Sequence, residues 1–185
     1  MGEWSDDLDH ALNLVRAGDS RGFDVLFRAH SSAVVGYLRA RQVNDADDLA
    51  NEVFVRAFRS IHTLKGDADR FRTWLFGIAH NAAVDDARHR GRRPREHSLD
   101  AASDVGGGDV ESEALAQIDQ ALVRRLLDDL APDQRDVLLL RVVGDLSVAQ
   151  TAAVVNKSYE AVKALQRRGI AALRRNLEAS EGVPK

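Results

Sequence analysis

The chain has 185 residues, a formal net charge of −3, 44% hydrophobic and 30% charged residues, and no cysteine. That length allows one domain or two small ones, and that composition supports a packed core and argues against wholesale disorder. The lack of cysteine removes disulfides, zinc–thiolate sites, iron–sulfur clusters and a thiol nucleophile. The longest strongly apolar run, Val137 to Leu140, is far short of the ~20 residues of a membrane span, and the acidic N-terminus has no apolar stretch behind it. A soluble protein of the cytoplasm is therefore expected.

Nearly every segment carries helical periodicity, and strand alternation is missing. Asp6 is placed to cap a first helix carrying Leu8, Leu12 and Val15 and stopped by Gly18. Asp19 opens a second, with Phe23, Leu26, Phe27, Val34 and Leu38 as its apolar stripe. Asn44 or Asp45 opens a third, in which Leu49, Val53, Phe54, Ala57, Phe58 and Ile61 recur at helical spacing. Ser60 to Arg70 loses the period and reads as a loop. A fourth helix is expected from Phe71 to about Arg90, ended by Gly91. Arg92 to Val110, with Pro94 and Gly106-Gly107-Gly108, has linker chemistry. Helix resumes near Ser112 with Leu115, Ile118, Leu122 and Leu126 in register, and Pro132 starts another helix that Gly144 stops. The expected class is all-α: two small helical bundles, 1–95 and 112–185, joined by a flexible acidic linker, 96–111.

The charge is unevenly spread. Five arginines (88, 90, 92, 93 and 95) stand together without an acid, seven acids follow between Glu96 and Asp119 without a cation, and six cations fall between Lys157 and Arg175. Dense cationic zones suit phosphate neutralisation. In the last of them, Ser147-Val-Ala-Gln150 fits a capping box, where hydroxyl and amide satisfy each other's backbone amides. Asn156 tolerates the left-handed conformation of a tight turn, and Ser158 caps a longer basic helix. A short helix, a tight turn and a longer helix form a helix-turn-helix, whose second helix lies in a major groove. Its leading residues are Ser158, Tyr159, Glu160 and Lys163. Arg167 and Arg168, one turn on, hold phosphates.

Five of the ten aromatics fall between Phe54 and Phe76, just before the arginine block. Rings beside cations offer stacking surfaces and a phosphate track for single-stranded DNA. On the third helix, Asp48, Glu52 and Arg56 recur every four residues as a charged ridge, either simple helix support or a docking face.

These residues resemble the bacterial sigma factors of the extracytoplasmic-function (ECF) group over nearly the whole chain. Asp45 to Arg59 is similar to the region-2 helix of that family. Phe71-Arg-Thr-Trp-Leu-Phe-Gly-Ile-Ala-His-Asn81 is similar to its promoter-melting and −10-recognition helix. Residues 133–147, continuing through Leu173-Arg174, are similar to its region-4 module for the −35 element. The first region-4 helix carries Val148 and its turn Asn156, where the family usually has an aromatic and a glycine.

The resemblance implies a promoter-specificity subunit with no catalysis and no cofactor. It implies core RNA polymerase as partner, through the clamp of the largest subunit and the flap of the second-largest, together with double- and single-stranded promoter DNA and an anti-sigma factor. The family's region-2 helix binds polymerase, so Asp45, Asp48, Leu49, Glu52, Val53 and Arg56 are the expected contacts there; carried over by position are Trp74 and Asn81 near the −10 strand and Lys163 and Arg168 at the −35 element. Lys65, Arg72, Trp74, Asn81, Asp85, Arg88, Arg90, Arg92 and Arg93 serve −10 recognition and melting, with the Ser60–Arg70 loop capturing a flipped base. Ser158, Tyr159, Glu160, Lys163, Arg167 and Arg168 serve the −35 element. The alternatives are a helix-turn-helix regulator with a helical sensor domain, which leaves Asp45 to Arg59 without purpose, and a helical scaffold for proteins alone.

Overall fold

A computed structural model describes residues 2–92 and 123–181. Among the described residues every regular element is helical: α1 (Gly2–Arg16), α2 (Arg21–Ala40), α3 (Ala46–Ser60), a 3-10 turn (Ile61–Thr63), α4 (Ala68–Arg92), α5 (123–128), α6 (Pro132–Val142), α7 (Val148–Val155) and α8 (Tyr159–Glu181). The linker 96–111, the helix start near Ser112 and Arg93 lie outside the described residues.

Local chemistry places most boundaries. Gly18 turns the chain at φ +84° after α1, and the Asp19 carboxylate accepts from the Arg21 amide at 2.9 Å where α2 begins. Pro132 stands in the first turn of α6, where its missing N–H costs nothing. Three expectations are corrected. Asp6 lies inside α1, which begins four residues earlier. α4 begins at Ala68, so the loop is only residues 64–67. Gly91 does not end α4, which runs to Arg92.

The first bundle packs α1 to α4 around Leu26, Val34, Leu38, Phe71, Leu75 and Phe76, all fully buried. Each such side chain stabilises the fold by roughly 1.5–3 kcal/mol. The second packs α6, α7 and α8 around Val137, Ala152 and Val162. Gly169 lies where α8 crosses α6, and a Cβ there would stand 2.7 Å from Leu138 Cδ1. The glycine lets the two helices approach.

The two bundles also share a core, which no local pattern foretold. Leu139, Leu140 and Leu146 join the same buried cluster as Phe71 and Leu75. Beside it the Asp136 carboxylate on α6 pairs with the Arg41 guanidinium just after α2, both side chains 11% exposed. The Tyr37 hydroxyl and His80 Nδ1 share a hydrogen bond at 2.9 Å, and that nitrogen lies 3.9 Å from Asp136. Burial first, then the Arg41 charge, pushes the His80 pKa down to about 4. The ring is therefore neutral at pH 7 and is held by the Tyr37 hydrogen bond instead of an ion pair.

Candidate nucleic-acid and partner interfaces

The helix-turn-helix forms as its caps dictate. Gln150 N–H donates to Ser147 Oγ at 3.2 Å, and Ser147 N–H donates to Gln150 Oε1 at 2.7 Å. Asn156 takes the left-handed conformation at φ 51°, and Ala161 N–H donates to Ser158 Oγ at 3.2 Å. Ser158 is thus occupied as a cap. Tyr159, Glu160, Lys163, Arg167 and Arg168 are all exposed on the leading turns of α8. Lys163 Nζ sits 5.6 Å from the Tyr159 ring centre and 4.0 Å from Glu160.

Glu160, Lys163 and Arg167 line a groove of about 900 Å³ with Arg141, Ile170 and Arg174. Arg168 is not among its lining residues. Arg141 was missed in sequence. Its signal is the interruption of the apolar run, and its guanidinium donates to the Leu146 carbonyl and to Gln166 Oε1 at 3.4 Å. Val148, Ala164, Ile170 and Ala171 give the groove an apolar floor, flanked by cations and by Glu160.

α4 presents the second surface. Phe71 is core, and Trp74 is half-buried against it with ring centres 6.3 Å apart. Asn81, Asp85, Arg88 and Arg90 are exposed along the helix. The last two are tied back, Arg88 to Asp85 at 3.3 Å and Arg90 to Asp86 at 2.9 Å. Arg72 is turned toward the second bundle and reaches Asp145 at 3.2 Å. Lys65 stands exposed on the short loop before α4. Arg92 ends the described helix. His30 is buried under this surface, its ring 5.6 Å from Phe71.

The third surface lies on α3. Asp45, Asp48, Glu52 and Arg56 form an exposed ridge, with Glu52 and Arg56 paired at 3.1 Å. Leu49 is half-buried against the core. Val53 is fully buried, so its expected place in a partner contact is corrected to core packing. The α2–α3 groove beside the ridge, about 460 Å³, is floored by Phe27 and Phe54, ring centres 4.7 Å apart. Arg39 and Asp47 bridge it at 2.8 Å. Phe27, on the apolar stripe of α2, is 37% exposed.

The sigma-70 region 2 pattern matches residues 26–93, and the sigma-70 region 4 pattern matches residues 120–173. RNA polymerase sigma-H factor of Pseudomonas aeruginosa is 33% identical over 153 residues, covering 76% of this chain and 78% of that protein. ECF RNA polymerase sigma factor SigX of Bacillus subtilis is 30% identical over 165 residues, covering 84% of each. ECF RNA polymerase sigma-E factor of Escherichia coli K12 is 30% identical, covering 77% and 79%. Among solved structures, CnrH in complex with the cytosolic domain of CnrY superposes with a TM-score of 0.71 at 26% identity, covering 94% of this chain and 98% of that one.

Proposed function

The chain belongs to the ECF group of the sigma-70 family and is an alternative sigma factor acting in transcription initiation, and from that premise we propose which surfaces meet promoter DNA and which meet polymerase. α8 enters the major groove of the −35 element. Glu160 accepts from a cytosine amino group, Lys163 donates to guanine or phosphate, and Arg167 and Arg168 hold the backbone. Along α4, Trp74 and Asn81 face the separated −10 strand, while Arg88, Arg90 and the arginines after them track its phosphates. The loop 64–67 receives a base turned out of the duplex, whose extrusion costs a few kcal/mol that a shaped pocket offsets.

The α3 ridge docks on the clamp of the largest polymerase subunit, and the second bundle docks on the flap of the second-largest. The chain carries no catalysis of its own and works in the cytoplasm; among the described residues no helix is long and apolar enough to cross a membrane. An anti-sigma partner is part of this reading, supported by the likeness to CnrH, which was solved with the cytosolic domain of another protein.

One observation carries the assignment: a capped helix-turn-helix with an exposed cationic leading face follows the region-2 bundle in the family's order. Footprinting of reconstituted holoenzyme tests it. Lys163→Ala should weaken upstream protection by about 1–3 kcal/mol in binding, and Asn81→Ala should reduce −10 strand opening while upstream protection persists. Upstream protection that survives Lys163→Ala, or opening that survives Asn81→Ala, would remove that residue from its assigned role.

A further inference from the structure

The loop 64–67 is held by its own turn bonds and by side chains of the first helix. Asp9, Leu12 and Arg16 stand at i, i+3 and i+7, on one face of α1. Leu12, with Ala11 and Val15 beside it, is buried in the core. Gly22 of α2 lets α1 sit close, since a Cβ there would lie 2.3 Å from the Ala11 carbonyl oxygen. α1 is therefore a fixed platform.

From that platform Arg16 Nη2 donates to two loop carbonyls, Leu64 at 3.0 Å and Gly66 at 2.7 Å. Asp9 Oδ1 accepts from the Ala68 amide at 2.6 Å, the first amide of α4. Within the loop, Gly66 sits at φ +126°, where L side chains are strained, and Asp67 Oδ1 accepts from the Arg70 amide at 2.9 Å. Both carbonyls flanking Lys65 are thus turned to Arg16, and Lys65 itself is exposed.

We propose that α1 is a positioning element for −10 recognition, with Arg16 and Asp9 setting the shape of loop 64–67 and so its preference among bases. This rests on the reading of that loop as the base receptor. A loop already held in its binding shape loses less freedom on capture, and its shape discriminates. Arg16 touches no base in this arrangement and acts through the Leu64 and Gly66 carbonyls. It is itself exposed, and its hydrogen bonds go to the loop and to Asn13 on its own helix, so removing it leaves the buried core intact.

The test uses holoenzyme made from the full chain and core RNA polymerase. Run-off transcription on genomic fragments finds its strongest promoter, which is then rebuilt with each base at every −10 position. Arg16→Ala should flatten the preference at one −10 position by about tenfold, the equivalent of one hydrogen bond to a charged group. Affinity for core polymerase and preference in the −35 element should not change. Arg16→Lys, which keeps a cationic donor, should restore part of the preference. An unaltered preference pattern in Arg16→Ala, or a uniform loss across all bases, would overturn the proposal. The double variant Leu64→Ala, Lys65→Ala separates the two readings. If it alters base preference and Arg16→Ala does not, only the role of α1 falls; if neither does, the loop is not the base receptor.

Discussion

His30 and His80 are the titratable groups that the fold treats most severely. Burial, then the charge of Arg72, holds His30 at about 4. Burial, then Arg41, holds His80 at about 4 against the opposing pull of Asp133. The unfolded chain takes up these protons as pH falls through about 6.5, whereas the folded chain resists until about 4. Their contribution is therefore complete above about pH 6.5 and is lost as pH falls toward 4, by at most about 3 kcal/mol for each ring. Thermal melts between pH 7.5 and 4 should show this decline, and His80→Gln, which keeps a hydrogen-bond partner for Tyr37, should flatten part of it. Equal slopes for the two proteins would show that His80 does not titrate in this way. Neither burial was legible in sequence, because it depends on residues far along the chain: Phe71 for His30, and Tyr37 and Asp136 for His80.

At the scale of elements, the helix-turn-helix was legible almost to the residue. Each of its signals is local: Ser147 and Gln150 three apart, Asn156 at the turn, Ser158 three before Ala161. Asn156 fills the position where the family usually has glycine because its backbone reaches the same left-handed region. Gly169, which costs about 1 kcal/mol against alanine inside a helix, has a packing reason in the contact with Leu138. Gly169→Val should push α8 off α6, destabilise the chain by about 1–3 kcal/mol, and weaken −35 protection in holoenzyme. A melt unchanged from wild type would refute that close approach.

The start of α4 was misjudged by three residues because one of its caps, Asp9, is 59 residues away from Ala68. The α3 ridge was legible as a four-residue repeat. Val53, next to Glu52 in sequence, turns about 100° around the helix and into the core. Phe27 shows the converse: an apolar stripe does not reveal which of its members meets solvent.

The contact between the bundles decides how the whole molecule must work. Asp136 and Arg41 are removed from water together, and losing one partner inside a closed structure costs about 3–5 kcal/mol. Parting the bundles returns both groups to water instead, so the interface separates without stranding a buried charge. On the proposed assignment of α8 to the −35 element and α4 to the −10 strand, it separates when the promoter is read. Elements named for positions 35 and 10 lie ~25 base pairs apart, roughly 85 Å at 3.4 Å per pair. With a net charge of −3 and its halves in contact, the free chain should bind promoter DNA weakly, and polymerase should supply the alignment. The deciding measurement is run-off transcription on total genomic DNA with core RNA polymerase, with and without the purified chain. The expected result is initiation at a defined subset of promoters only when the chain is present; start sites indistinguishable from those of core alone would contradict it.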